Sequence, residues 1–514
     1  MDTQYQLESE LLNKDLINEM SELYSNHYGL WGKTSKNHGK RISLSPSYIR
    51  KWTENENAYI ATARNNNILI GYAIAIQSYK NKAEKKNAIS WITQLVVHQD
   101  YRQHGIGKEL LFSFWGFSNH YAWGIMSSNP YAIRALEKAT YRRVQPSIIK
   151  NKEISLKKFG IEKVSYLDEE TEFVITLKNT KVNTKFPSDI SNVNEKLDNV
   201  TKKGVPWVLG EIEEGWEWLA FTFNNQEKIE LTKEEINEML DVSDKIAHQA
   251  YSKMSMDTIE HFWAKHTPKE VDFIIKNCNL NNDMKLADFG CGIGRHTNLI
   301  SQNGYDIIGI DYSQNLLNKA IENSQNKENF IQGDCRTINL ETKYNTILCL
   351  YDVIGSFIDN SENIKIINNI YNHLEDDGYT LISVMNYELT KAQAKYTFSL
   401  TNEHNKLLEL TASDTMQKTG DIFNPDYYMI DDDTSIVYRR EQFCTENQLP
   451  QELIVRDYRY TKFDIEKMCT NVGLEIIFSR YVQAGKWEIE LEATDKKAKE
   501  ILLLCKKHTT KHSS

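Results

Sequence analysis

MKLADFGCGIGRHTNLI, residues 284–300, decides the fold of the larger part of this 514-residue chain. It opens as an apolar strand, passes Asp288, and turns into a helix near Arg295. Between strand and helix stand Gly290, Gly292 and Gly294. Glycine lets a backbone pass close to a ligand, and the start of a helix offers unpaired amides. A dinucleotide turn needs G-x-G-x-x-G. Counted from Gly290 the third glycine falls on Arg295, and counted from Gly292 it falls on Thr297. The turn is therefore built for another ligand.

Downstream, strands and helices alternate. DIIGIDYS (306–313) carries Asp311 and Tyr312 at its end, and NFIQGDC (329–335) carries Asp334 and Cys335. YNTILCLYDV (344–353) and YTLISVMN (379–386) follow, separated by helical periodicity at 364–374. Such alternation predicts a parallel sheet covered by helices on both faces. Asp288, Asp311 and Asp334 then share its carboxyl edge, where open α/β sheets bind ligands. A carboxylate at 311 can accept two ribose hydroxyls. An acid at 334 beside the Cys335 amide suits the edge of an adenine.

These residues resemble the class I S-adenosylmethionine-dependent methyltransferases, over residues 236–514, with a Rossmann-like seven-stranded sheet and a lid-like β-rich insertion at 395–455. The resemblance implies that Gly290, Gly292 and Gly294 approach the methionine part of S-adenosylmethionine, Asp311 the ribose, and Asp334 with Cys335 the adenine. Asp288, Tyr312 and Leu350 join the expected cofactor site. LCLYDVIGSF (348–357) takes the place of the loop that faces the methyl group, and it lacks the N-P-P-Y pattern of amino-methylating nucleic-acid enzymes. Tyr251 either covers the methionine end or is an ordinary core tyrosine. His296, Tyr351 and Asp352 are the catalytic candidates near the methyl group, with Asn386 and Tyr387 beside them.

A second glycine turn lies far upstream, in LVVHQDYRQHGIGKELL (95–111). Here the frame is Arg102-x-x-Gly105-x-Gly107, between an apolar strand and a helix. Successive amides at a helix start make an anion site suited to a pyrophosphate. The stretch resembles the acetyl-CoA motif of the GNAT N-acetyltransferases, over residues 1–150. That resemblance implies that Leu95 and Val97 line the pantetheine arm of acetyl-CoA. It implies that Arg102, Gln103, His104, Gly105, Ile106, Gly107 and Lys108 hold its phosphates. NPYAIRALEKATY (129–141) matches the family's next element at Asn129, Ala132 and Lys138. The family's proton-donating tyrosine falls on Leu136, and Gln94 stands where a carboxylate base often serves. Tyr131, Tyr121 or a water is the expected substitute donor.

Bulk properties agree with a multidomain α/β and α+β enzyme. The length exceeds what one hydrophobic core supports. Residues 151–235 read as a small α+β connecting region containing WVLGEIEEGWEWLAFTF (207–223), a tryptophan- and acid-rich hairpin that suits a cationic ligand or simply a core and an exposed turn. A net charge of −10 argues against a dedicated nucleic-acid partner, and YKNKAEKKNA (79–88) reads as a solvated basic turn. No apolar run is long enough to span a membrane, and MDTQYQLESELLNKD lacks the apolar region of a signal peptide. The seven cysteines all lie at or beyond Cys278 and form no CxxC, which suits a reducing cytoplasm without a zinc site.

The expected function is a bifunctional transferase that moves an acetyl group and a methyl group onto a small amine-bearing metabolite. Two alternatives stand beside it. In one, the first domain is non-catalytic and senses acyl-CoA or binds a partner. In the other, the chain modifies tRNA or protein, which requires a basic face beside the methyl site.

Overall fold

The computed structural model describes residues 3–8, 13–79, 87–202, 204–254, 264–325, 329–443, 449 and 451–508. Most of the basic turn at 79–88 lies outside them. The chain divides into two compact units, one comprising residues 1–246 and 444–453, the other 247–443 and 454–514.

The first unit is built on one eight-stranded sheet. Its strands are β1 (Thr3–Glu8), β2 (Ala58–Asn65), β3 (Ile68–Tyr79), β4 (Ala88–Val97), β5 (Ala122–Ser127), β6 (Phe173–Ile175), β7 (Thr180–Phe186) and β8 (Gly215–Phe223). They lie in the order β1-β2-β3-β4-β5-β8-β7-β6. All neighbours are antiparallel except β4 and β5, which run parallel. β3 and β4 are almost wholly buried, as continuous apolar runs predict for central strands. The expected connecting region at 151–235 thus supplies β6, β7 and β8 to this same sheet. Its hairpin reading also changes: β8 pairs with β5 and β7, and the Glu-Gly step opens β8. Burial drives this arrangement, because Trp218, Leu219, Ala220, Phe221 and Phe223 are fully buried and need covered faces. Helix Ile106–Trp115 packs its Leu110, Leu111 and Phe114 side chains into the core. Late in the chain, residues 451–453 return to this unit: the Phe117 amide donates to the Glu452 carbonyl at 2.6 Å, and the Glu452 amide to Ser118 Oγ at 2.8 Å.

The second unit carries β9 (Lys285–Phe289), β10 (Asp306–Asp311), β11 (Phe330–Gln332), β12 (Tyr344–Cys349) and β13 (Leu374–Met385). An insertion follows with β14 (Thr397–Phe398), β15 (Ala412–Ser413), β16 (Tyr428–Asp431), β17 (Val437–Phe443) and β18 (Gln451–Asp457). β19 (Leu474–Gln483), β20 (Lys486–Leu491) and β21 (Glu500–Lys507) complete the unit. The main sheet runs β11-β10-β9-β12-β13-β21-β19-β20, one strand more than the seven expected. The extra strand is β20, which forms a hairpin with β19 at the sheet edge. β9 to β13 are parallel and β21 is antiparallel to β13. The strand order reverses between β9 and β12, which places a crevice at their carboxyl ends. The insertion forms its own small sheet, β14-β16-β17-β15, with β18 on β17.

Candidate functional site

Each unit opens a site at a strand end. In the first unit, β4 pairs with β5 only from Ile89–Ile92 to Ala122–Ile125. A bulge at Thr93 interrupts the β3–β4 ladder, since Ile74 opposes Gln94 while Ala75 opposes Ile92. A bulge bends and twists its strand. From Thr93 to Val97 the β5-facing edge of β4 therefore has no strand partner among the described residues. A cleft of about 1780 Å³ opens there, lined by Leu95, Val97, Asn129 and Tyr131 among others. It is larger than the roughly 300–1,000 Å³ of common small-ligand sites.

Residues 102–108 line the same cleft. Gln103 and Gly105 both take positive φ, 64° and 88°, and helix Ile106–Trp115 begins at once. The Arg102 amide bonds the Gln99 carbonyl, and the Glu109 amide bonds the Gly105 carbonyl. The amides of Ile106, Gly107 and Lys108 fall in the first turn of the helix, where N–H groups have no intrahelical acceptor and suit an anion. The side chains behave differently from expectation. Arg102 donates to the backbone carbonyls of Val97 and His27. His104 Nδ1 lies 2.8 Å from the Arg102 carbonyl. The buried Lys108 ammonium pairs with Glu238. Asn129 caps helix Pro130–Ala139 by accepting the Tyr131 amide at 3.2 Å.

In the second unit the three motif glycines have φ of 79°, 56° and 72°. A Cβ at Gly290 would overlap Val353, and one at Gly294 would meet Ala320 at 2.8 Å and Phe330 at 2.9 Å. A Cβ at Gly292 would meet nothing within 4 Å. Gly290 and Gly294 are thus required by the protein's own packing, while Gly292 faces open space, as a cradle for a ligand does. Asp311 accepts the amides of Gly292 and Ser313, each at 2.9 Å. Asp334 is gripped by Arg336 through Nε at 3.0 Å and a terminal nitrogen at 2.6 Å, and that hydrogen bonding holds its carboxyl below the ordinary range. Cys335 is buried, which pushes its thiol up to about 12 and keeps it neutral. Tyr312 is exposed, with its hydroxyl 3.2 Å from His248 Nδ1, while Leu350 is buried. Asp288 is 3% exposed and accepts Thr297 Oγ1 at 2.7 Å, so it ties the helix start to the strand.

Residues 259–477 match the family model of a methyltransferase domain, and residues 19–141 match that of the acetyltransferase (GNAT) family. The chain joins a GNAT domain to a methyltransferase domain. Similar proteins include a glycine/sarcosine N-methyltransferase from Aphanothece halophytica, 24% identical over 25% of this chain and 50% of that protein. A ubiquinone biosynthesis O-methyltransferase from Rickettsia felis is 24% identical over 29% of this chain and 60% of its own. The chain spans about half the length of the first of the curated relatives it matches. Among solved structures, an S-adenosylmethionine-dependent methyltransferase from Clostridium acetobutylicum is 19% identical, covering 52% of this chain and 99% of that one with a TM-score of 0.36.

In the GNAT domain, Leu136 is fully buried and does not face the cleft. Gln94 does line it and accepts the Tyr72 hydroxyl at 2.9 Å. Tyr131 lines the cleft, whereas Tyr121 packs edge-on against Phe223 at 6.0 Å. Sequence reasoning missed Glu217 of β8, which also lines the cleft. Burial pushes its carboxyl up to about 7, with the Thr184 hydroxyl opposing the shift. The available signal was the alternation in GWEWL, which puts Glu217 and Leu219 on one sheet face and Trp218 on the other.

In the methyltransferase domain, two of the catalytic candidates serve structure. Glu270, on helix Thr267–Asn277, accepts His296 Nε2 at 2.8 Å, Arg295 at 2.9 Å, the Tyr351 hydroxyl at 2.8 Å and the Gly485 amide at 3.1 Å. Burial alone would raise its carboxyl, but the His296 bond and the Arg295 charge hold it at about 2. Burial also lowers His296 below the ordinary imidazole range. Asn386 is fully buried and donates to the carbonyls of Ala493 and Ala498, and the Tyr387 amide donates to Tyr460. Asp352 is exposed at its surface, yet the protein packed around it, then the Asp457 charge, raises its carboxyl, with the Arg439 and Arg459 charges opposing. Tyr251 donates to Glu441 and stands edge-on to Phe443 at 5.1 Å.

Proposed function

We propose that the chain carries two transferase activities, moving a methyl group from S-adenosylmethionine and an acetyl group from acetyl-CoA onto a small amine-bearing metabolite. One observation carries the reading. In each unit a strand ends in a turn of positive-φ residues whose backbone stays open: the amides of 106–108 in one, the space above Gly292 in the other. When bound, S-adenosylmethionine supplies a methyl group already activated on a sulfonium, and acetyl-CoA supplies a thioester. The chain's part is mainly alignment. Asp311 accepts the ribose hydroxyls in place of its own backbone amides, and Asp334, oriented by Arg336, accepts from the adenine. Asp352 is the group left near the methyl site to hold or receive a proton. The row of amides at 106–108 takes the pyrophosphate. An amine acceptor also suits the names of the N-methyltransferase relatives. Free buried cysteines among the described residues suit a reducing compartment.

The test is mass spectrometry of amine-bearing metabolites incubated with the full chain and both donors. Gains of one methyl and one acetyl are expected. Calorimetry showing that neither donor binds overturns the reading. A second reading keeps the methyltransferase and makes the GNAT domain an acyl-CoA sensor. Leu136 in the core and Gln94 bonded to Tyr72 favour it. Acetyl-CoA binding without thiol release on any amine would establish it.

A further inference from the structure

The acyl-transfer reading leaves open which group accepts the proton of the acceptor amine, because Gln94 cannot. We infer that Glu217 and the aromatic rings around it form an ammonium pocket on the β8 side of the GNAT cleft, with Glu217 as the proton acceptor. The inference rests on the proposed binding of acetyl-CoA along β4. Glu217 stands outside the residues that match the family model. It pairs across the ladder with Val182, and the next residue, Trp218, pairs with Ser127 at the end of β5. That position is where β4 and β5 have parted, so the carboxylate stands at the mouth of the splay.

The surroundings select a cation. Glu217, Tyr24, Tyr28, Trp52, Tyr166 and Phe186 all line the cleft. Tyr24 and Tyr28 stack at 4.2 Å, Tyr28 meets Phe186 edge-on at 6.1 Å, and Trp52 meets Tyr166 at 6.4 Å. Among the described residues no lysine, arginine or histidine forms an ion pair with Glu217. The titratable groups that face it are the phenols of Tyr24, Tyr28 and Tyr166; burial, then the Glu217 charge for Tyr24, raises Tyr24 and Tyr28, and Tyr166, 38% exposed, is raised by the protein around it and the Glu217 charge. Aromatic faces with one carboxylate and no counter-cation are complementary to an organic ammonium. The Tyr166 hydroxyl also donates to the Thr93 carbonyl at 3.3 Å, which links this wall to the bulge where β4 turns away. The ligand class is a primary amine on an apolar or aromatic carrier.

The step balances as follows. The Glu217 carboxylate takes one proton from R–NH₃⁺, which frees the nitrogen lone pair. Nitrogen bonds to the thioester carbonyl carbon, the carbon–sulfur bond breaks, and the electron pair leaves on sulfur. A second proton from nitrogen neutralises the thiolate, giving the amide and free thiol. Glu217 then returns its proton to solvent. A carboxyl near 7 suits this duty at neutral pH.

The full chain is assayed for thiol release with acetyl-CoA and a panel of primary amines such as 2-phenylethylamine, tryptamine and benzylamine. Calorimetry measures acetyl-CoA and amine binding separately. The expected result is acetylation whose kcat/KM rises with pH through about 7. Glu217→Gln should lower kcat/KM by roughly 10²–10⁴-fold, remove that limb of the profile, and leave acetyl-CoA affinity unchanged. Trp52→Ala should raise KM with kcat little altered, which a folding defect does not produce. A Glu217→Gln variant as active as the parent overturns the inference and leaves the acyl-transfer reading standing. Acetyl-CoA binding with no panel amine bound or acetylated also overturns it and favours the sensor. Absence of acetyl-CoA binding removes the acyl-transfer reading itself.

Discussion

His296 Nε2 donates to Glu270 Oε2 at 2.8 Å, and the same carboxylate accepts Arg295, Tyr351 and the Gly485 amide. A buried carboxylate with these four donors binds one helix to the start of the next, to the β12 loop and to the β19–β20 turn. Its removal leaves buried donors unpaired, so Glu270→Gln should destabilise the second unit by roughly 3–5 kcal/mol, read by denaturant unfolding. The pH dependence has a definite sign. Glu270 is held at about 2, below its ordinary 4.5, so its contribution is complete above about 4.5 and lost as pH falls toward 2. The parent should lose stability across that window, and the variant should show a flatter profile there.

The glycine turn separates packing from ligand. Gly292→Ala should cost about 1 kcal/mol of stability, from a side chain at positive φ, and weaken S-adenosylmethionine binding at least about tenfold. Gly290→Ala should destabilise the unit more, because its Cβ overlaps Val353. Thermal melts paired with calorimetry distinguish the two. Equal binding by parent and Gly292→Ala counts against the cradle.

Lys108 is withheld from the anion site by Glu238. Freeing it should add positive charge beside the amide row. Glu238→Gln is expected to tighten acetyl-CoA binding about 2- to 5-fold, equivalent to roughly 0.5–1 kcal/mol. The gain should shrink with added salt, as isothermal titration at two ionic strengths would show.

Leu136 invites a tyrosine that would restore the usual donor. The position is fully buried, so the larger side chain must displace packed neighbours. Leu136→Tyr should destabilise the first unit by about 1–3 kcal/mol and leave the rate of thiol release no higher. A faster variant would mean that the helix can turn this face toward the cleft.

The glycine frames were legible because spacing and strand order are local: Gly105 and Gly292 sit where their turns require them. The roles of neighbouring side chains were not. Lys108 and His296 follow their motifs, yet their partners, Glu238 and Glu270, come from helices that no motif links to them. Glu217 lay in a stretch read as a hairpin, and only the pairing of β8 with β5 brings it to the cleft. Leu136 reads as a missing donor from its place in the motif, whereas its burial depends on the pitch of helix Pro130–Ala139 against the sheet. Asp288 was grouped with the ligand-facing acids because it shares their strand edge; its bond to Thr297 turns it inward.

The bond between Phe117 and Glu452 sets an order of events during synthesis. The carbonyl that satisfies the Phe117 amide leaves the ribosome more than three hundred residues after it. Until then Gly116 and Ser118 keep their amide bonds to the Phe112 and Trp115 carbonyls, but the Phe117 amide lacks the Glu452 carbonyl and the nascent first unit lacks its final seam. A chain cut short after residue 246 would keep that seam open, and limited proteolysis should find it there first.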